Sequence, residues 1–196
     1  MRAPFLPIAA GIVALAAGFG AYHQSHRQAG PGTRDGNVAA PILPAAEDAG
    51  NILNTTRRHR EWVNVPVGPS GLRVFVVYPG RADRAPAVVI TARHQSASKW
   101  IRALAIRAAD EGYIAVTPDL LSGMAPNGDD GDSIANPAAM ASALEQMGPE
   151  EIARRTNAAR DYALALPAAS GQSASLVLDR DRGRIDALVV SPAIGI

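Results

Sequence analysis

Residues 86–119 constrain the fold most strongly, because they contain a strand, a helix and a second strand in direct succession. The apolar run 87–90 is short, β-branched and uninterrupted, which is typical of a strand buried on both faces. Apolar residues at helical spacing follow, and Gly112 ends that helix. A second buried strand over residues 113–117 completes a right-handed βαβ unit, which predicts a parallel sheet.

The segments around this unit extend the α/β pattern on both sides. Residues 62–67 and 72–78 alternate between apolar and polar side chains, which predicts an antiparallel hairpin, and Pro66 places its first strand at the sheet edge. Two helices that meet at Gly148 are predicted further on. A strand over residues 173–178 follows them.

Composition excludes several classes of function. The chain has 196 residues, enough for one ordinary domain, and it contains no cysteine, so disulfides, thiolate metal sites and a cysteine nucleophile are excluded. A net charge of +1 gives no reason to expect a nucleic-acid partner, and the basic run 57–60 is predicted to be a solvated approach to the first strand. No metal spacing, phosphate loop or dinucleotide fingerprint occurs, so neither a metal nor a cofactor is predicted.

The N-terminal part predicts export. Residues 3–21 carry no charge and follow Arg2, which is the layout of a signal peptide, although the segment is also long enough for an uncleaved membrane anchor. Either alternative places the protein in the periplasm or outside the cell, with membrane contact only through residues 1–21. Residues 22–57 are rich in glycine and proline and predict a flexible linker, so the domain itself is expected over residues 58–196.

Several short motifs in residues 61–178 resemble the N-terminal half of the dienelactone hydrolase family. The most specific are Trp100-Ile101-Arg102, Glu111-Gly112-Tyr113-Ile114-Ala115-Val116, Pro118-Asp119-Leu120-Leu121 and Ala159-Arg160-Asp161-Tyr162-Ala163. The resemblance implies an incomplete α/β-hydrolase-type sheet and hydrolysis of a carboxylic ester or lactone. It also implies a nucleophile on a sharp strand-to-helix turn, activated by a histidine that an aspartate orients.

The sequence departs from that family where the nucleophile should lie. The family has a Gly-x-Cys-x-Gly-Gly turn after the strand that matches residues 173–178, whereas this chain continues as Asp-Arg-Asp-Arg-Gly over residues 179–183. Residues 185–190 resemble the strand that follows the missing helix, and a connection this short cannot make a parallel crossover. We therefore expect a hairpin or an undocked tail there, and we assign no catalytic residue, since the family's aspartate and histidine would follow Ile196.

Arg93, His94 and Gln95 are the predicted substrate-binding residues, because they follow the first buried strand, where α/β proteins bind ligands. The family has His-Glu at this point. A single histidine is also often only a hydrogen-bonded loop residue, so both interpretations stay open. Ser173 enters a strand rather than leaving one, which argues against a nucleophile, and Asp119 is interpreted as a structural turn residue.

Three hypotheses of function follow. The first is a dienelactone hydrolase-like protein, acting on a small ester or lactone, whose own catalysis is in doubt because the nucleophile turn is missing. The second is an exported noncatalytic binding or scaffold protein that uses the pocket near Arg93, His94 and the loop after Pro118. The third is a defective product that folds poorly, because half a sheet leaves an unpaired edge.

Overall fold

In a computed structural model, the described residues of the protein form a six-stranded mixed sheet with helices on both faces. The structure describes residues 44–68, 71–93, 96–124, 136–179 and 184–191, the last of these as backbone only. The elements are α1 (Ala49–Thr55), β1 (Arg60–Val65), β2 (Leu72–Val77), β3 (Ala85–Ala92), α2 (Lys99–Asp110), β4 (Ile114–Pro118), α3 (Pro137–Ala165), β5 (Ala169–Asp179) and β6 (Arg184–Ser191). The strand order is β1-β2-β4-β3-β5-β6.

The predicted βαβ unit is confirmed as β3, α2 and β4. β3 and β4 pair in parallel, with Val88 opposite Ala115, and nearly every residue of both strands is buried. The side chain of Ser98 caps α2 by accepting a hydrogen bond from the Ile101 amide. Gly112 follows the end of α2 with φ of 96°, a left-handed conformation that glycine adopts without steric cost.

The opening hairpin is also confirmed. β1 pairs antiparallel with β2 from Arg60 opposite Val77 to Val65 opposite Leu72, and β1 lies at the sheet edge. Pro66 follows its last residue, where a missing amide removes no ladder hydrogen bond. β2 in turn pairs antiparallel with β4, so the hairpin joins the parallel part of the sheet directly.

Helices cover the two faces of the sheet from opposite sides. α1 and α2 pack on the face formed by Phe75, Val77, Val88, Ile90, Ala115, Ala174, Leu176 and Leu178. The C-terminal part of α3 packs on the other face, where Ala159 and Ala163 contact a cluster that includes Val74, Val76, Val89 and Val116. This is the layered arrangement of an α/β domain.

The two helices predicted to meet at Gly148 do so without a loop between them. They form α3, whose regular geometry is interrupted at Gly148 with φ of 77° and ψ of 159°. We call residues 137–147 the first arm and residues 149–165 the second arm. Asn136 caps the first arm through a 2.9 Å hydrogen bond from the Ala138 amide to its Oδ1.

β5 leads into a hairpin, which is one of the two alternatives that the short connection predicts. β5 is parallel to β3, whereas β6 pairs antiparallel with β5 from Asp179 opposite Arg184 to Ser173 opposite Ser191. β5 begins at Ala169, before its predicted start at residue 173. Only residues 180–183 separate the two strands, too few for the crossover that parallel neighbours need.

The predicted flexible linker is wrong for residues 44–57. α1 lies within this range and packs against α2, with Ala49 and Ile52 buried in the core. The Trp100 indole Nε1 donates a 2.7 Å hydrogen bond to the Pro44 carbonyl. A helix of one to two turns gives no sustained period in sequence, which is why the pattern missed it.

Residues 1–43, which include the predicted signal peptide or anchor, lie outside the described residues. Among the helices of the described ranges, none is long and apolar enough to cross a bilayer.

Candidate functional site

A groove of about 680 Å³ lies beside the carboxyl ends of β3 and β5, between the sheet and α3. We call it the strand-end groove. Its apolar lining consists of Ala92, Leu120, Leu144, Pro149, Ile152, Ala153 and Val177. Its polar lining includes Thr91, Arg93, Glu145, Thr156, Asn157, Arg160 and Ser175. Ligands of open α/β sheets bind at this end of the strands, so the groove is the candidate site.

The alternation of β5 explains why the groove exists. Leu176 and Leu178 point to the face that α2 covers and are 1% exposed. Ser175 and Val177 point to the opposite face, where they are only half-buried and line the groove. The second arm of α3 covers the beginning of that face and leaves these two side chains accessible.

The interruption of α3 shapes the far wall. Gly148 lines the groove with a left-handed φ of 77°, a conformation that any other residue would adopt only with strain. The bend brings Leu144 from the first arm and Ile152 from the second arm to the same cavity. A single helix without this bend would direct the two arms along one line.

Two guanidinium groups and one carboxylate, that of Glu145, line the groove. Arg93 is exposed at the end of β3, and Arg160 is half-buried on the second arm of α3. Nη2 and Nε of Arg160 lie 2.8 Å and 3.0 Å from Oδ1 of Asp161, which neutralises part of its charge. The groove therefore combines an apolar floor with donors suited to a carbonyl or carboxylate group.

Asp119, which precedes the groove residue Leu120 in sequence, is a buried structural acceptor. Its side chain is 2% exposed, and its Oδ1 accepts hydrogen bonds from the Ser96 hydroxyl and, at 3.3 Å, from the Leu121 amide. The Ser122 hydroxyl donates to the Asp119 carbonyl at 2.7 Å. These contacts agree with its interpretation as a structural turn residue, since they connect the turn after β4 to the segment before α2.

Arg155 makes a structural contact that the sequence did not predict. The residue is buried, with only 8% of its surface exposed. Its Nη1 donates hydrogen bonds to the carbonyls of Leu120 and Ser122 at 3.0 Å each. Arg155, Ala159 and Ala163 recur at four-residue spacing on the buried stripe of the second arm. An arginine on an otherwise apolar stripe is a signal that could have predicted a buried guanidinium with carbonyl partners.

Glu151 connects Arg155 to the surface. Its Oε1 accepts from Arg155 Nε at 2.8 Å and from Arg154 Nη2 at 2.6 Å. Hydrogen bonds from Arg154 and then Arg155 lower the pKa of Glu151 to about 2, so the carboxylate is charged throughout the physiological range.

The predicted site residues are only partly placed. Arg93 lines the strand-end groove, whereas His94 and Gln95 lie outside the described residues. Ser173 is 1% exposed within β5, away from any strand-to-helix turn. Across the described ranges, no group of three or more histidine, aspartate or glutamate side chains is arranged to hold a metal.

Comparisons with known proteins relate this chain to a protein family and to a solved structure. The model of the dienelactone hydrolase family matches residues 72–177, which is more than half of the 196 residues. A solved chain described as "m3DLH" is 18% identical with a TM-score of 0.48, and the match covers 63% of this chain and 50% of that chain. This chain therefore spans half the length of that structure. A comparison with curated proteins gives no significant match.

Proposed function

We propose that this chain, which belongs to the dienelactone hydrolase family, binds a small ester, lactone or related carboxylic acid in the strand-end groove without hydrolysing it. Family membership supports a hydrolase-like origin for this end of the sheet. The observation that carries the proposal is the antiparallel β5–β6 hairpin.

The hairpin matters because ester hydrolysis through a covalent intermediate needs a presented nucleophile. In this family's mechanism, that atom is held on a sharp turn between a strand and a helix, where backbone amides stabilise the oxyanion. Here β5 pairs with β6 as far as Asp179 opposite Arg184, and only residues 180–183 lie between them. Four residues are too few for a helix after the turn, which favours binding without turnover.

The groove fits a small organic ligand in size and in lining. A volume of about 680 Å³ lies within the range of roughly 300–1,000 Å³ that is usual for small-molecule sites. Leu120, Ile152 and Val177 would contact the apolar part of the ligand, while Arg93 and Arg160 would donate to its carbonyl or carboxylate oxygens. A planar fork of donors recognises such oxygens better than a single ammonium group does.

Hydrolysis of an ester or lactone is the second candidate, and the family match favours it. It would require a nucleophile outside β5 and its turn. His94 follows β3 in sequence and is the nearest candidate there for a base, so a His94→Ala variant separates the two functions.

The experiment combines turnover with binding on the purified full chain. An activated aryl ester and a small aromatic lactone are offered, and calorimetry follows binding of the lactone. We expect turnover at the buffer rate, saturable lactone binding, and about tenfold weaker binding in Arg160→Gln. Arg84→Gln, an equal change of charge at an exposed residue outside the groove, serves as control.

Two outcomes would contradict the proposal. Ester turnover above the buffer rate that disappears in His94→Ala would establish the second candidate instead. Absence of lactone binding, or equal binding by the Arg160→Gln and Arg84→Gln variants, would remove the assignment of the groove.

A further inference from the structure

A second cavity, separate from the strand-end groove, lies between α1 and α2. It encloses about 340 Å³, and its charged lining consists of Arg57, Arg58, Arg107 and Asp110. We call it the interhelix cavity. None of its lining residues lines the strand-end groove. Its function is therefore independent of the function proposed for the groove.

The charges around this cavity do not cancel. Three guanidinium groups face a single carboxylate, and that carboxylate is already engaged, since Oδ1 of Asp110 accepts from Arg58 Nε at 2.7 Å. The C-terminal ends of α1 and α2 add roughly half a negative charge each. Positive charge remains in excess after these contributions, which favours an anionic ligand.

Arg107 has a buried hydrogen-bond donor without an acceptor among the described residues. This donor is its Nε. Buried N–H groups almost always have an acceptor, because a donor removed from water without one is costly. Arg107 also lines the cavity, so its guanidinium adds to the positive charge there.

Arg58 is held in position at the same cavity. Besides its ion pair with Asp110, its guanidinium lies against the backbone of Gly80, where a Cβ atom would come within 2.1 Å of Nη1. Glycine at position 80 thus leaves room for the guanidinium. A cation fixed before binding loses less conformational entropy when a ligand arrives.

We propose that the interhelix cavity binds a phosphate group, with Arg57, Arg58 and Arg107 as its donors. Guanidinium groups match phosphate oxygens in a bidentate geometry. A phosphate also presents three strong acceptor oxygens, enough for several arginines at once. The phosphate belongs to a soluble phosphorylated molecule or to a lipid headgroup, and the two sources share this chemistry.

The first test measures binding of inorganic phosphate to the full chain by calorimetry, with sodium chloride of equal ionic strength as reference. Phosphate should bind the unchanged chain and the Arg84→Gln variant equally, and Arg107→Gln should weaken binding about tenfold or more. Arg57→Gln should weaken it less, because Arg57 is exposed. Arg57→Gln also keeps the test valid if Arg107→Gln lowers the melting temperature.

The second test uses vesicles to distinguish the two sources. The site is supported if the chain binds phosphatidic acid vesicles and if Arg107→Gln, but not Arg84→Gln, weakens this binding. If inorganic phosphate alone does not bind, the ligand is assigned as a lipid headgroup. Binding of inorganic phosphate assigns a soluble ligand. The proposal is overturned if neither probe binds, if chloride acts as phosphate does, or if Arg107→Gln and Arg84→Gln behave alike.

Discussion

α2 and the second arm of α3 cover opposite faces of one sheet, and they do so in different ways. α2 buries seven of its residues, and Leu104 among them is 1% exposed. The second arm buries only Arg155, Ala159 and Ala163. Close apolar packing therefore holds α2, whereas the second arm depends more on polar contacts and leaves a groove beside it.

Both helices are connected to the segment after β4, again by different means. The Ser96 hydroxyl, just before α2, donates to the buried carboxylate of Asp119. Arg155 of the second arm donates to the backbone carbonyls of Leu120 and Ser122. Where the apolar cover of the sheet is incomplete, a charged side chain holds the helix in place by hydrogen bonds across the gap.

The largest expected effect compares the same substitution on the two helices. Leu104→Ala should lower the free energy of unfolding by roughly 2–5 kcal/mol, because it leaves a closed cavity under α2. Leu164→Ala, at a half-buried position on the second arm, should cost about 1 kcal/mol, since solvent fills the space. Urea denaturation measures both, and equal losses would contradict the contrast between the faces.

A smaller effect is expected from the polar connection of the second arm. Arg155→Met should cost about 1–3 kcal/mol, because the buried carbonyls of Leu120 and Ser122 lose their donor. Arg155→Lys should recover part of this loss, as it keeps a charged donor without the planar fork. If the Arg155→Met and Arg155→Lys variants have the same unfolding midpoint as the unchanged chain, the second arm does not depend on this contact.

The smallest effect concerns pH. The pKa of Glu151 in the folded chain is about 2, below its ordinary value of 4.5. Its ion pairs therefore stabilise the fold fully above pH 4.5, and this stabilisation is lost as the pH falls from about 4.5 to 2. Glu151→Gln should therefore cost at most about 1 kcal/mol at pH 7, because water screens this partly exposed carboxylate, and nothing near pH 2. Thermal melts at pH 7 and near pH 2 measure the cost of Glu151→Gln, with Glu150→Gln as control. A cost that persists at pH 2 would show that Glu151 acts through packing instead.

The sequence predicted the helices and strands whose buried side chains recur at a regular spacing. The strands β3 and β4, the helix between them and the opening hairpin all follow from periodicity and from Gly112 and Pro66, because each local signal agrees with the packing. The short connection between β5 and β6 excluded a parallel crossover and left a hairpin or an undocked tail as alternatives, and the hairpin is the one that forms. These features needed no knowledge of distant contacts.

The sequence did not predict features that depend on contacts between distant segments. α1 is too short for a periodic pattern, and its burial depends on α2, which lies some 50 residues later in the chain. The carbonyl partners of Arg155 likewise belong to the turn after β4. Of the predicted site, Arg93 lines the groove because β3 ends there. Arg57 and Arg58 of the interhelix cavity were interpreted only as part of a solvated run, and Arg107 was not singled out.

The hairpin at β5 also changes the order in which the sheet can assemble. A crossover would join strands separated by a whole helix, whereas here the partners are near neighbours along the polypeptide, with Asp179 opposite Arg184. Loop closure over so few residues is fast and costs little chain entropy. The β5–β6 hairpin thus lowers the contact order of the domain, and it can form before β5 pairs with its parallel neighbour β3.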